Sequence, residues 1–151
     1  MAKEIERKFL IKNHSYIGLS HKKVKIIQGY LSTDPDATVR IRIFGDKAFI
    51  TVKSRNIGAV RSEWEYEIPL EDAEQILNES AKNILSKTRY FVDMPDGLTW
   101  EIDCFEGKLH GLILAEVELP DESAAFIRPT FIGEEVTGDP RYYNSILSSQ
   151  A

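Results

Sequence analysis

At 151 residues, with 42% hydrophobic and 28% charged side chains, the sequence has the composition of one domain, residues 1–151, large enough to build a core without staples. Its single cysteine, Cys104, excludes an internal disulfide and suits a reducing cytosol, and a net charge of −5 weighs against broad nucleic-acid binding, which needs a basic surface. The start "MAKEIERKFL" has no long apolar run, and the stretch Leu112–Ala115 is far too short to span a bilayer, so a cytoplasmic protein off the membrane is expected.

In chain order the sequence reads mainly as strands. "KEIERKFLIK" alternates, with Glu4, Glu6, Lys8 and Leu10 on one side and Ile5, Arg7, Phe9 and Ile11 on the other. A polar loop, "KNHSYIGLSH", leads to the strand "KVKIIQGYLS", and "TDPDA" at 33–37 signals a turn. "TVRIRIF" and "AFITVKS" flank the tight reversal "GDK" and predict a hairpin. After "RNIG" comes the strand "AVRSEWEYEIP". "LEDAEQILNES" then carries Leu70, Ala73, Ile76 and Leu77 at helical spacing, with acids early. Strands return in "ILSKTRYFVDM", "LTWEIDCF" after the turn "PDG", and "LILAEVELP". Short helices are expected over "DESAAFI" and in the tail "RYYNSILSSQ". About eight strands joined mostly by short reversals predict a mainly β (α+β) antiparallel barrel or sandwich, and closure would remove exposed edges.

The charges on these strands are sorted by sign. Arg40 and Arg42 share a face, as do Thr51 and Lys53; Arg61, Glu63, Glu65 and Glu67; Lys87 and Arg89; Glu101 and Asp103; and Glu116 and Glu118. The plain reading is a half-buried sheet with one wet face. Such a face would mix Ser, Thr, Gln and Asn among the charges, whereas here the charged residues come in like-signed pairs that repel. Turned inward in a closed barrel, the basic rows would grip phosphoryl oxygens through charge-assisted hydrogen bonds. The acidic rows would hold hard divalent cations.

The ordered set of motifs resembles the CYTH superfamily, the triphosphate tunnel metalloenzymes, over nearly the whole chain, and looks most like its small bacterial inorganic triphosphatases. The motifs are the E-x-E-x-K of "EIERKFL", "QGYLS", the R-x-R and later lysine of "VRIRIFGDKAFITVKS", and the R-x-E-x-E of "RSEWEYEI". They continue with "SKTRYFV", "WEIDCFEGKLHGL", "LAEVEL" and "GEEVTGDPRYYN". The resemblance implies an eight-stranded antiparallel closed barrel with a few covering helices, acting on triphosphate compounds with Mg²⁺ or Mn²⁺. It assigns substrate phosphates to Lys8, Arg40, Arg42, Lys53, Lys87 and Arg89, and metal to Glu4, Glu6, Glu116 and Glu118. Glu63, Glu65 and Asp103 become catalytic carboxylates, as further ligands or water-orienting groups; Arg61 and Glu101 are left open. Ile5, Phe9 and Ile11 should then pack outward beneath covering helices.

The implied reaction is hydrolysis of tripolyphosphate to diphosphate and phosphate, with metal-neutralised phosphoryl oxygens and a carboxylate such as Glu63 placing the attacking water. Related family activities, thiamine triphosphatase and class IV adenylyl cyclase, are the rivals; a non-catalytic polyphosphate binder would not need so full an acidic set. Trp64 and Trp100 lie opposite the charges, so neither offers a stacking platform inside the barrel. Cys104 should face outward, and His14, His21 and His110 read as solvated loop residues without zinc-ligand spacing. Tyr30 shares the inward face with Gln28, where substrate contact and simple packing are equally open. The expected partner is a small triphosphate, with no nucleic acid and no membrane; a homodimer is compatible with a barrel of this size.

Overall fold

The computed structural model describes residues 3–151 as nine strands: β1 Lys3–Ile11, β2 Lys22–Ser32, β3 Thr38–Phe44, β4 Lys47–Lys53, β5 Val60–Ile68, β6 Lys82–Asp93, β7 Thr99–Phe105, β8 Ile113–Glu118 and β9 Ile132–Glu135. All pairings are antiparallel, in the order β5-β4-β3-β2-β6-β7-β8-β1-β9. The start of β1 also pairs with β5, Glu4 opposite Arg61, and this contact closes eight strands into a barrel. β9 lies against the far half of the same β1 edge, Ile11 opposite Ile132. One strand thus serves β5, β8 and β9, and closure leaves few unpaired backbone groups.

The outward faces form two apolar clusters. Phe9, Trp100, Ile102 and Val117 of β1, β7 and β8 are buried together with Tyr16 and Phe131 from the segments outside the barrel, and Phe126 lies against Trp100 at 5.6 Å between ring centroids. Cys104 belongs to this outer layer, as its alternation with Asp103 predicts, with Sγ 3.3 Å from the Tyr16 hydroxyl. The second cluster sets Ala73, Ile76 and Leu77 of α2, Leu70–Glu79, on Ile41, Ala48 and Ile50 of the β3–β4 hairpin. That hairpin turns through Gly45 and Asp46, with Gly45 in the left-handed region at φ 62°.

The helix expected over "DESAAFI" is absent. Residues 121–123 turn, with the Asp121 carboxylate accepting from the Ser123 N–H at 2.9 Å, and the chain then runs on without regular structure. Asp96 Oδ2 fixes the Ile127 N–H at 2.8 Å while Phe126 docks on Phe9 and Trp100, so tertiary contacts override the local helix signal. Phe9 is therefore covered by this irregular segment and not by a helix. Within the loop "KNHSYIGLSH" a single helical turn, α1 Tyr16–Leu19, forms because Tyr16 is buried against Tyr90 and Phe131. The tail carries α3, Asn144–Leu147, between two 3₁₀ turns.

Gly29 sits where α2 ends and β6 begins. A Cβ there would lie 2.4 Å from Ile84 Cδ1, 3.0 Å from Leu77 Cδ2 and 3.1 Å from Ala81 Cβ. The tips of Ile84 and Leu77 belong to flexible side chains that must shift, while the Ala81 Cβ, just past the helix end, moves only with the backbone. Gly29→Ala is expected to cost about 1–3 kcal/mol, lowering the thermal midpoint by about 2–4 °C for each of those kilocalories. A midpoint equal to that of the wild type would show that the end of α2 yields freely.

Candidate active site

Strand alternation and register bring the charged rows together inside the barrel. Directly opposed residues share a face, and the inward pairs include Lys8 with Glu116, Glu6 with Glu118, Arg89 with Asp103 and Lys53 with Glu63. All of these but Asp103 line a cavity of about 240 Å³. Eleven of the thirteen residues expected to form the site reach its wall: Glu4, Glu6, Lys8, Arg40, Arg42, Lys53, Glu63, Glu65, Arg89, Glu116 and Glu118. Arg61 and Glu101, left open above, line it too, and so does Tyr30.

Lys87 and Asp103 lie beneath the wall. Both are buried, and Lys87 Nζ is 2.6 Å from Asp103 Oδ2. Asp103 also takes a two-pronged bond from Arg89, Nε to Oδ1 at 2.7 Å and Nη2 to Oδ2 at 3.0 Å. Burial alone would raise the Asp103 carboxyl, but the guanidinium and the ammonium outweigh it and hold it far below the ordinary range. Burial, reinforced by Arg89 and Arg42, outweighs Asp103 at Lys87 and brings the ammonium down to about 7. This triad is a buried scaffold that aims Arg89 into the cavity.

The cationic half is only partly neutralised. Arg42 donates from Nε to Gln28 Oε1 at 2.8 Å, and no carboxylate among the described residues lies within 4.0 Å of it. Burial, together with Arg40 and Arg89, pulls it down to about 9. Arg40 bonds Thr51 Oγ1 at 3.1 Å and stands 3.6 Å from Glu65, while its buried Nε has no partner. Such an unmatched donor, among guanidiniums that repel one another, is arranged for an anion.

The acidic half shows the converse. Burial, then Glu116 and Glu4, push Glu6 well above the ordinary carboxylate range, and no basic group among the described residues comes within 4.0 Å of it. Burial also raises Glu4 against the pull of Lys53, which bonds Glu4 at 3.0 Å and Glu63 at 3.1 Å. At Glu116 burial is outweighed by Lys8, 3.3 Å away, which holds the carboxyl near 2. Among the described residues no three acidic, histidine or cysteine side chains converge into a ready metal cage. The donor set nevertheless suits a hard cation, since Glu6 and Glu118 face each other across the β1–β8 ladder with nothing basic between them. The three histidines are exposed and outside the strands, away from this cavity.

Sequence periodicity missed one wall. Val136, Thr137, Gly138, Tyr143, Asn144 and Ser145 close over the cavity. Lys8 Nζ donates to the Tyr142 carbonyl at 2.9 Å and Lys87 Nζ to Asn144 Oδ1 at 2.8 Å, tying this segment to the barrel. The motif "GEEVTGDPRYYN" was visible, but no alternation connects it to the interior. At the same end the inward rows turn apolar: Leu85, Phe105 and Leu114 are buried with Val136 and Leu147, so the interior is floored by hydrophobic packing.

A family model described as the CYTH domain matches residues 2–143. The chain is 49% identical over 148 residues to a protein of Acetivibrio thermocellus named inorganic triphosphatase, covering 97% of this chain and 94% of that one. It is 42% identical over 148 residues to an inorganic triphosphatase of Nitrosomonas europaea, covering 96% of each. Among solved structures, the crystal structure of an inorganic triphosphatase superposes with a TM-score of 0.67 at 38% identity, over 98% of this chain and 95% of that one. A putative adenylyl cyclase from Hippeastrum, described as having dominant triphosphatase activity, superposes at 0.60 with 16% identity over 78% of this chain and 80% of its own, a likeness of fold alone.

Proposed function

The chain belongs to the CYTH domain family, and on that premise we propose that it hydrolyses inorganic tripolyphosphate to diphosphate and phosphate with the help of Mg²⁺ or Mn²⁺. It is a triphosphatase; the bare tripolyphosphate substrate and the choice of metal are our reading. What carries that reading is one small cavity holding unneutralised guanidiniums beside crowded carboxylates. Neither half is comfortable empty, and a polyanion with a divalent cation relieves both. The single cysteine leads us to place the protein in the reducing cytosol, with residues 1–151 acting as one tunnel domain.

Arg40, Arg42, Arg89, Lys8 and Lys53 bind and orient the phosphoryl oxygens, and stabilise charge that builds on the leaving diphosphate. Lys87 supports them from beneath. Glu4, Glu6, Glu116 and Glu118 would hold the metal, which when bound supplies Lewis-acid neutralisation of the phosphoryl oxygens. Glu63 and Glu65 stand on the neighbouring wall and accept hydrogen bonds from the attacking water. At Glu63 burial opposes ionisation but Lys53 prevails, so it stays an anion suited to orienting the water more than to keeping its proton.

The deciding experiment follows phosphate release from tripolyphosphate, ATP and thiamine triphosphate with Mg²⁺, with Mn²⁺ and with chelator. Fast metal-dependent release from tripolyphosphate, with ATP far slower, is expected; diphosphate and cyclic AMP from ATP with no phosphate release would overturn the reading. Arg40→Ala removes a buried charge-assisted donor worth about 1.5–3 kcal/mol, so KM should rise roughly 10- to 100-fold. Unchanged KM and kcat would take Arg40 out of the site.

A further inference from the structure

The segment over the cavity ends its motif "GEEVTGDPRYYN" on a polar side chain, Asn144, to which the motif gives no role. Asn144 opens α3, lines the cavity, and accepts a hydrogen bond from Lys87 through Oδ1 at 2.8 Å. Lys87 itself has no exposed surface; its ammonium is spent on Asp103 and Asn144. It therefore meets the cavity through the Asn144 amide and not directly.

Simple chemistry sets the orientation of that amide. An ammonium only donates, so the carbonyl oxygen of Asn144 must face Lys87 and Nδ2 must point the other way. Among the described residues Nδ2 has no hydrogen-bond partner, yet it is not among the sealed, unsatisfied atoms of the interior. It is open to the cavity. A neighbouring cation polarises the amide and strengthens its N–H groups as donors. The backbone is pinned on either side, by Lys8 Nζ on the Tyr142 carbonyl and by Ser148 Oγ on the Ser145 carbonyl at 2.9 Å, which limits the wandering of Asn144.

We propose that Asn144 is a substrate-contacting residue, its side-chain amide oriented by Lys87 so that Nδ2 donates to a phosphoryl oxygen of the bound triphosphate. The proposal rests on the triphosphatase reading above. It makes Lys87 a positioning residue and gives the C-terminal segment a share in recognition: a neutral donor, added to a site already crowded with cations.

Asn144→Asp tests it. The substitution is nearly isosteric and leaves an oxygen for Lys87, so a merely structural anchor would tolerate it. It removes the N–H donors and faces the phosphoryl oxygens with negative charge. Binding of a methylene-bridged triphosphate with Mg²⁺, measured by calorimetry, should weaken roughly 10- to 100-fold, the loss of one charge-assisted hydrogen bond, with the thermal midpoint unchanged. KM for tripolyphosphate should rise in step. Asn144→Ala, which deletes the donors without adding charge, should weaken binding by a smaller factor and carries the test if the aspartate variant does not fold. Wild-type protein that binds the analogue, beside a folded variant that binds it within twofold, would overturn the role of Asn144. Wild-type protein that neither binds the analogue nor hydrolyses tripolyphosphate would overturn the triphosphatase reading itself, a separate result.

Discussion

Replacing Glu4 and Glu6 together by glutamine should reduce metal-dependent phosphate release by about 10³-fold or more while leaving the barrel folded. A carboxylate pair that holds a divalent cation contributes several kilocalories per mole to neutralising the phosphoryl charge, and about 4 kcal/mol is three decades in rate. The fold should not suffer. Glu6 has no basic partner among the described residues and is repelled by Glu116 and Glu4; Lys53, on losing Glu4, keeps Glu63 at 3.1 Å. The thermal midpoint measured in chelator should therefore stay level or rise, as expected where residues are kept for function at some cost in stability. Mg²⁺ or Mn²⁺ should raise the wild-type midpoint by linkage and fail to raise that of the variant. A double variant that retains wild-type turnover would show that the Glu4–Glu6 face does not serve the metal.

That face was legible because strand periodicity is strict. In "EIERKFL" the acids and Lys8 fall two apart, so one decision about which side is inward fixes all three, and the same step sorts Arg40 with Arg42 and Glu116 with Glu118. Depth along the barrel was not legible. Alternation places Asp103 on the same face as Glu101, but register and stagger decide that Glu101 reaches the cavity while Asp103 sinks beneath it with Lys87. β9 escaped because "IGEE" is four residues long with one apolar side chain, and takes its place from an edge of β1 more than from its own pattern. The helix expected over "DESAAFI" failed for a related reason: early acids are a local cue, and the docking of Phe126 on Trp100 is not local. Asn144 belongs to the same class, since only the folded chain shows that Lys87 lies behind it.

Asp103→Asn separates scaffold from chemistry. If Asp103 oriented water, the variant would melt like the wild type and lose kcat. The geometry predicts the opposite emphasis. Its carboxylate is the shared counter-charge of Arg89 and Lys87, both buried, and an amide would leave Lys87 with no paired anion and Arg89 with only Glu101, 3.3 Å away, while both face Arg42. Breaking such a group typically costs about 3–5 kcal/mol, which for a chain of this size lowers the thermal midpoint by on the order of 10 °C. The loss should depend on pH in a definite sense. Lys87 titrates near 7 in the folded wild type, against about 10.4 for a free lysine, so the unfolded chain binds more protons between those values and stability rises with pH across that window. Without Asp103, which favours the ammonium, the folded-state value falls further and the same gain begins at lower pH. The gap between variant and wild type should therefore be widest in mild acid, narrow as pH climbs towards 7, and stay level above it. Added tripolyphosphate should raise the variant's midpoint more than that of the wild type, because a bound anion replaces the missing counter-charge. A variant as stable as the wild type at pH 5, with turnover lost, would return Asp103 to the chemical step.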